Sequence, residues 1–404
     1  MAAAGLTAYK LYRTLWPQKA INETLFQLFP ELGVLKKDTT FFEKVRQIGL
    51  GTGSPQGIGP SFARAKANKT ASTAVEFTVA TQPYYALFSI EGDIMRRSKN
   101  DKALLVDPIK RESSNAIAQW KLDMCNYIHG NGGGALARSS AVSGATFTVP
   151  VKQARFLRPG MKLNSASTDG TSGSVNAGSV TLSAVNRRTG VCTVVEASVA
   201  AGIPAVAATD YWFRDGVFGN VIAGFEAWNP SSDPTSTLFK GVDRSVDTDM
   251  LGGLRVSATT KTPRGAAKMA ANAVYDNGGA PDLYILSTDD WANLEADLDS
   301  AGSLMRTQAM ASPIGNMNFG VTYEAIKMVG PAGPITVIAS PNAPTGIGRM
   351  LTKGTWTLGC MGELLHDIDE NNTEDGADAK EFRMLGDIEF YCDTPGWNAR
   401  VALT

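Results

Sequence analysis

The sequence predicts an α+β chain carrying a small all-β insertion. Three observations point there: apolar residues at helical spacing from Ile109 to Ile128, strand-like clusters on both sides of that run, and a stretch from about Ala145 to Asp215 built only of short β-type segments between turn residues.

The first segment, to about Thr40, sets short apolar clusters against breakers. Leu11, Tyr12, Leu15 and Trp16 precede Pro17, and Ile21, Leu25, Phe26, Leu28 and Phe29 precede Pro30. Such one- or two-turn amphipathic pieces are not stable alone, because helix nucleation is costly, so they need a docking partner. From Leu50 to about Ala74 the chain turns to Gly51, Gly53, Pro55, Gly57, Gly59 and Pro60, then to Arg64, Lys66 and Lys69. That reads as an excursion loop, too long for an ordinary connection. It returns through two expected strands, Val75–Val79 and Tyr84–Ile90, both rich in β-formers.

The clearest helix follows. Ile109, Ala116, Ile117, Trp120, Met124, Tyr127 and Ile128 share one face, with Ile117, Trp120 and Met124 as its core, and the glycines from Gly130 to Gly134 end it. His129, in the last turn, is expected to act as a capping cation toward the helix dipole. Within the β insertion, Phe147–Val149, Val180–Leu182, Val191–Val195 and Tyr211–Phe213 are the expected strands of a small barrel or sandwich. Beyond it, Thr262 caps a helix over Pro263–Asp276 whose expected packing stripe is Ala266, Met269, Ala270, Ala273 and Val274. Leu283–Leu286 is a strand, Ser287 and Asp290 form a capping-box pattern, and Trp291, Leu294 and Leu298 line the helix that follows. The tail returns to strands over Val321–Val329, Ile335–Ile338, Leu351–Met361 and Arg383–Cys392.

Composition narrows the chemistry. The 404 residues hold 38 Lys and Arg against 39 Asp and Glu, a net charge of -1 that excludes a strongly basic nucleic-acid wrapper. Hydrophobic residues make up 43%, enough for two or three cores, and no apolar run is long enough to span a bilayer. Charged residues make up only 19%, below the roughly 25% of average globular chains, so something other than charge should cover part of the surface. Four scattered cysteines without a C-x-x-C pair, and two distant histidines, argue against a zinc site and a disulfide framework. The first twenty residues, interrupted by Lys10, Arg13 and Lys19, do not read as an export signal, and the protein is expected to be made in the cytosol.

No catalytic or cofactor constellation emerges. The glycine cluster Gly49–Gly53, with Gly57 nearby, runs into Pro55 and Pro60 rather than into the helix a phosphate cradle needs. The acidic stretch Asp367–Asp378 has Asn372 where a calcium loop wants Gly and Asp378 where it wants Glu, which favours a solvated turn. His366 has acidic neighbours but no nucleophile motif, and no G-x-S-x-G elbow occurs. Arg96, Arg97, Lys99 and Lys102 lack the interleaved aromatics that stack bases and read as solvated charge. No catalytic, cofactor-binding or metal-binding residue is therefore expected, and the chain is not expected to be an enzyme.

The order of elements resembles a known one. An arm, a long excursion, the approach and spine helix over Ser98–Gly134, an α/β lobe, and closing strands at Thr355–Leu358, Ile388–Phe390 and Val401–Leu403 are similar to the major capsid protein of tailed bacteriophages, with the Johnson or Hong Kong ninety-seven fold. The resemblance covers most of the chain except the insertion, and no short motif carries it. It implies an N-terminal arm over 1–48, an extended β-hairpin loop over 49–82, a peripheral domain with the spine helix over 83–144, the inserted β domain over 145–218, an axial α/β domain over 219–350 and closing peripheral strands over 351–404. It also implies a homo-oligomer of pentamers and hexamers in an icosahedral shell, found in the virion after assembly in the host cytoplasm, which encloses packaged double-stranded DNA without sequence-specific binding. A separate scaffolding protein and a portal are the implied partners, with room for a decoration protein, and no membrane or cofactor is implied. Arm and loop would lie across neighbouring subunits, which makes Tyr12, Trp16, Phe26, Phe29, Arg64, Lys66 and Lys69 the expected contacts. Two other readings stay open: a tail or adhesive surface protein with a β insertion, and a carbohydrate-active enzyme using exposed Trp212 and Trp228 as sugar platforms.

Overall fold

The computed structural model describes residues 35–38, 45–91, 102–300, 326–360, 366–367 and 379–403. Tyr12, Trp16, Phe26, Phe29, the pair Arg96 and Arg97, Lys99 and most of the acidic stretch lie outside the described residues. Along the chain, β1 (Lys36–Asp38) and β2 (Val45–Gly53) precede α1 (Phe62–Ala67), β3 (Thr73–Ala80), β4 (Gln82–Glu91) and α2 (Lys102–His129). Seven short strands come next: β5 (Ala137–Arg138), β6 (Ala141–Ser143), β7 (Thr146–Thr148), β8 (Lys162–Ala166), β9 (Val180–Asn186), β10 (Val191–Val194) and β11 (Tyr211–Arg214). After them run β12 (Leu254–Ser257), α3 (Pro263–Asp276), β13 (Leu283–Ser287), α4 (Thr288–Ser300), β14 (Ile326–Gly330), β15 (Gly333–Ser340) and β16 (Ile347–Leu351). The described chain closes with β17 (Trp356–Cys360), β18 (His366–Asp367), β19 (Ala379–Cys392) and β20 (Ala399–Ala402). Only helices of six residues or more are numbered.

These elements fall into two compact units, each drawn from separated stretches. Among the described residues, the first takes those within Gln82–Ala227 and Glu363–Ile388, and the second those within Phe29–Thr81, Trp228–Gly362 and Glu389–Thr404.

In the first unit, α2 buries Ile117, Trp120, Met124, Cys125, Tyr127 and Ile128, the stripe that three- and four-residue spacing places on one face. The Trp120 indole donates to the Tyr84 carbonyl at 3.0 Å, which ties the helix to β4. β4 runs antiparallel to β19 from Gln82 opposite Ile388 to Glu91 opposite Ala379, and Phe88 stacks on Phe382 across the pair at 4.9 Å. Asp123, also buried, accepts hydrogen bonds from the Tyr84 hydroxyl at 2.9 Å and the Gln119 amide at 2.8 Å, and forms an ion pair with the Arg214 guanidinium at 2.8 Å. Burial pushes its carboxyl up, and the Arg214 charge opposes that push.

The helix stops as the glycines predicted, with His129 in its last turn. His129 is buried, with its ring 5.5 Å from that of Phe225, so it packs as an aromatic in the core. Gly224 shows why the helix end admits no side chain there. A Cβ on Gly224 would sit 2.2 Å from the Tyr127 carbonyl oxygen, 2.4 Å from that of Ile128 and 2.6 Å from that of Gly130.

The β insertion is a nearly closed antiparallel barrel. Its strand order is β5-β11-β8-β9-β10-β7-β6, and its two end strands are consecutive in the chain. Leu136 and Ser139 donate to the Trp212 and Asp210 carbonyls, while Ser140 donates to the Thr148 carbonyl, so one stretch of chain bonds to the β11 side and the β7 side of the sheet. The unit therefore begins at Ala137, ahead of the expected boundary at 145, because β5 and β6 are too short and polar to show in the pattern. Inside it, Phe147 stacks on Trp212 at 3.9 Å over buried Leu163, Val180, Leu182 and Cys192.

The second unit is built on a six-stranded mixed sheet, β12-β20-β16-β13-β15-β14, with β12 parallel to β20 and β13 parallel to β15. α3 and α4 pack on it and on one another. The Thr262 hydroxyl caps α3 by accepting from Gly265 N at 3.2 Å, with Pro263 in the first turn. The packing stripe differs from the expected one. Ala266, Ala267, Ala270, Ala271 and Val274 are buried while Met269 is exposed, because the flat row of alanines lets the helix lie close to the sheet. Ser287 accepts from Asp290 N as expected, but the Asp290 carboxylate bonds the Ser287 hydroxyl and Gly346 N instead of closing a capping box. The strand expected over Leu351–Met361 is two strands, β16 and β17, split by a helical turn at Lys353–Thr355. Asn398 holds that turn: its carbonyl accepts from Thr352 N and Trp356 Nε1, and its amide donates to the Thr355 hydroxyl and the Thr394 carbonyl.

Candidate assembly surface: the extended hairpin

β2 and β3 form a two-stranded antiparallel hairpin, with Val45 opposite Ala80, Ile48 opposite Phe77 and Gly51 opposite Ala74. Its outgoing arm carries Gly49, Gly51 and Gly53, residues that by composition read as part of an excursion loop. Gly49 and Gly51 instead lie on the exposed face of β2, alternating with buried Ile48 and Leu50, so the two-residue period overrides the flexibility of glycine.

The root of the hairpin is fixed in an aromatic cluster. Phe77 and Trp228, neither of them solvent-accessible, meet edge to face at 5.2 Å, and Phe239 packs against both, 6.4 Å from Phe77 and 5.1 Å from Trp228. The Trp228 indole donates to the Phe390 carbonyl at 3.0 Å. The Arg244 guanidinium lies 4.0 Å over the Phe239 ring and donates to the Trp228 carbonyl at 3.2 Å. Burial, followed by the Arg255 charge, lowers the Arg244 pKa to about 10. Thr78 N donates to the Lys240 carbonyl at 2.8 Å, and the Lys240 ammonium reaches the buried Glu389 carboxylate at 3.2 Å.

The tip, residues 54–72, is held by its own bonds. Gln56 N donates to the Thr70 hydroxyl at 3.0 Å, the Asn68 amide donates to the Ile58 carbonyl at 3.4 Å, and the Ser61 hydroxyl caps α1 by accepting from Arg64 N. Arg64, Lys66 and Lys69, expected as loop contacts, come together here and are all exposed, the first two on α1. α1 buries nothing. Beside these cations stand two apolar side chains that the sequence reading passed over: Ile58 is 79% exposed and Phe62 84% exposed. The signal for Phe62 was the Ser61 cap beside it, which marks a helix start and makes Phe62 the first residue of a short, unburied helix. Ile117, Trp120 and Met124 sit elsewhere, in the core of the first unit.

Trp212 and Trp228 are fully buried, which removes the sugar platforms on which the carbohydrate-active reading rested. Among the described residues, no group of three or more His, Cys, Asp or Glu side chains is placed to hold a metal ion, and no helix is long and apolar enough to cross a membrane.

No family model and no curated protein matches the chain. Solved structures do match. The capsid asymmetric unit of cyanophage A-1(L) aligns over 94% of this chain and 93% of that one, at a TM-score of 0.53 and 11% identity. The fold is that of phage capsid subunits. A chain from Mycobacterium phage Ogopogo aligns over 93% of this chain and 92% of its own at a TM-score of 0.44 and 10% identity. The holo-SrpI encapsulin complex of Synechococcus elongatus PCC 7942 aligns over 93% and 88%, at 0.44 and 7%. β2, β3 and the tip between them span Val45–Ala80, and α2 spans Lys102–His129.

Proposed function

We propose that the chain is a major capsid protein, which assembles with copies of itself into the pentamers and hexamers of a tailed-phage head shell enclosing double-stranded DNA. The observation that carries this reading is the hairpin: its root is buried and its tip presents Ile58 and Phe62 to solvent beside Arg64, Lys66 and Lys69. Burying one such side chain contributes roughly 1.5–3 kcal/mol, so an isolated chain forgoes that gain and a neighbouring copy supplies it. Repeated around closed symmetry, modest pair energies of this kind make a durable shell. Fold likeness to the cyanophage capsid chain supports the same reading. The three tip cations meet acidic groups on the neighbour, and the arm bearing Tyr12, Trp16, Phe26 and Phe29 adds contact surface. Scaffolding and portal proteins are separate chains, a decoration protein binds outside, and the assembled protein resides in the virion.

Light scattering and negative-stain microscopy test this, on the chain alone and with a scaffold. Closed shells are expected, and a paired Ile58→Ser, Phe62→Ser variant is expected to stay folded while losing them. A monodisperse monomer under all conditions would overturn the proposal, and shells that fill with protein rather than DNA would overturn its packaging half.

A further inference from the structure

The four residues Phe239–Val242 make a tight turn at the hairpin root. Phe239 and Val242 exchange backbone hydrogen bonds at 2.9 and 3.0 Å, and both central residues are left-handed, Lys240 at φ 50° and Gly241 at φ 86°. That backbone suits Asn-Gly or Gly-Gly, and lysine at its first central position is costly. Lys240 is the only non-glycine residue with positive φ among the described residues. What offsets the cost is visible at both ends of the residue. Its carbonyl accepts from Thr78 N on β3, and its ammonium meets Glu389 Oε1 on β19.

We propose that the Lys240–Glu389 pair is a proton-operated latch on the extended hairpin. With Glu389 ionised, it holds the Phe239–Val242 turn against β3, and with Glu389 protonated, it lets the turn go. Glu389 is fully buried, and its carboxylate is held by the Lys240 ammonium at 3.2 Å and by the backbone N–H of Phe390. The charged groups around it leave Lys240 as its counter-ion. Arg244 is turned to the Phe239 ring and the Trp228 carbonyl. Farther along β19, Tyr391 lies under Arg46, Arg46 pairs with Asp38, and Asp393 stands beyond. Burial lifts the Glu389 carboxyl to about 7, with Lys240 restraining the rise, so a modest change in acidity around neutrality switches its charge. Once the carboxyl is neutral, the left-handed lysine has lost the ion pair that offset its strain. The Thr78 amide then loses its acceptor as the turn relaxes. The latch acts within one chain and holds whether or not copies assemble, so its failure and the failure of the shell reading are distinguishable.

Hydrogen exchange on the full chain, followed at the Thr78 amide from about pH 8.5 to about pH 6 and corrected with an unstructured peptide of the same sequence, tests it. Protection at Thr78 is expected to fall about tenfold (about 1.4 kcal/mol) on acidification, while the β13 amides do not change. Glu389→Gln is expected to show the low protection at both ends of the range. Lys240→Gly, which adopts the turn without strain, is expected to keep high protection at both. Wild-type protection that is flat or rises on acidification, or a Glu389→Gln chain that still titrates, would overturn the latch.

Discussion

Replacing Trp228 by alanine tests whether the aromatic cluster anchors the hairpin. Trp228 is fully buried, touches Phe77 and Phe239 edge to face, and donates its indole N–H to the Phe390 carbonyl. Truncating a buried Trp to Ala costs about 3–5 kcal/mol through lost transfer energy and the cavity left behind. The Phe390 carbonyl, left without its donor, accounts for roughly 1–3 kcal/mol of the total. Trp228→Phe separates the two effects: it keeps a ring against Phe77 and Phe239 but removes the donor, so its expected cost is the smaller figure alone. Urea unfolding followed by far-UV circular dichroism measures both, with midpoints compared at a common slope. If Trp228→Phe matched the wild type, or Trp228→Ala cost less than about 1 kcal/mol, the cluster would not be the anchor.

The paired Ile58→Ser, Phe62→Ser chain should change the unfolding free energy by no more than about 0.5 kcal/mol, since neither side chain is buried; sizing it beside the wild type separates folding from assembly. Gly224→Ala should lose soluble yield and melting temperature sharply, because its Cβ would overlap the Tyr127, Ile128 and Gly130 carbonyls; an unchanged melting temperature would mean the helix end can retreat. Global stability should also depend on Glu389. Its carboxyl titrates near 7 when folded against an ordinary 4.5, so the folded state keeps a proton that the unfolded state has already lost. That contribution is complete below pH 4.5 and disappears as pH rises through 7, a fall of about 3 kcal/mol. Urea midpoints for wild type and Glu389→Gln at the two ends of that window should converge at the acid end and separate at the alkaline end, with Gln the more stable. The same proton thus strengthens the buried strand while releasing the turn beside it.

Much of the architecture was legible in the residues. The α2 stripe, the Gly130–Gly134 stop, the Thr262 cap and the Val75–Val79 and Tyr84–Ile90 strands are local patterns, and local patterns survive folding because the backbone period imposes them. The exposed Phe62 was missed because its neighbours are basic and the segment reads as a polar loop. Met269 was misplaced because the helix wheel shows a face but not how closely a sheet will approach it.

What the sequence determined by itself was the element order, the helix ends and a composition poor in charge. Tertiary structure alone decided which distant groups meet. Lys240 and Glu389 are 149 positions apart, and Trp228 and Phe390 are 162 apart. Their pairing leaves no periodic mark in the chain, since it arises only where several strands and a turn exclude water around one point. The physical reason is that burial, not sequence, sets the strength of a charge or an indole N–H, and burial belongs to the assembled core.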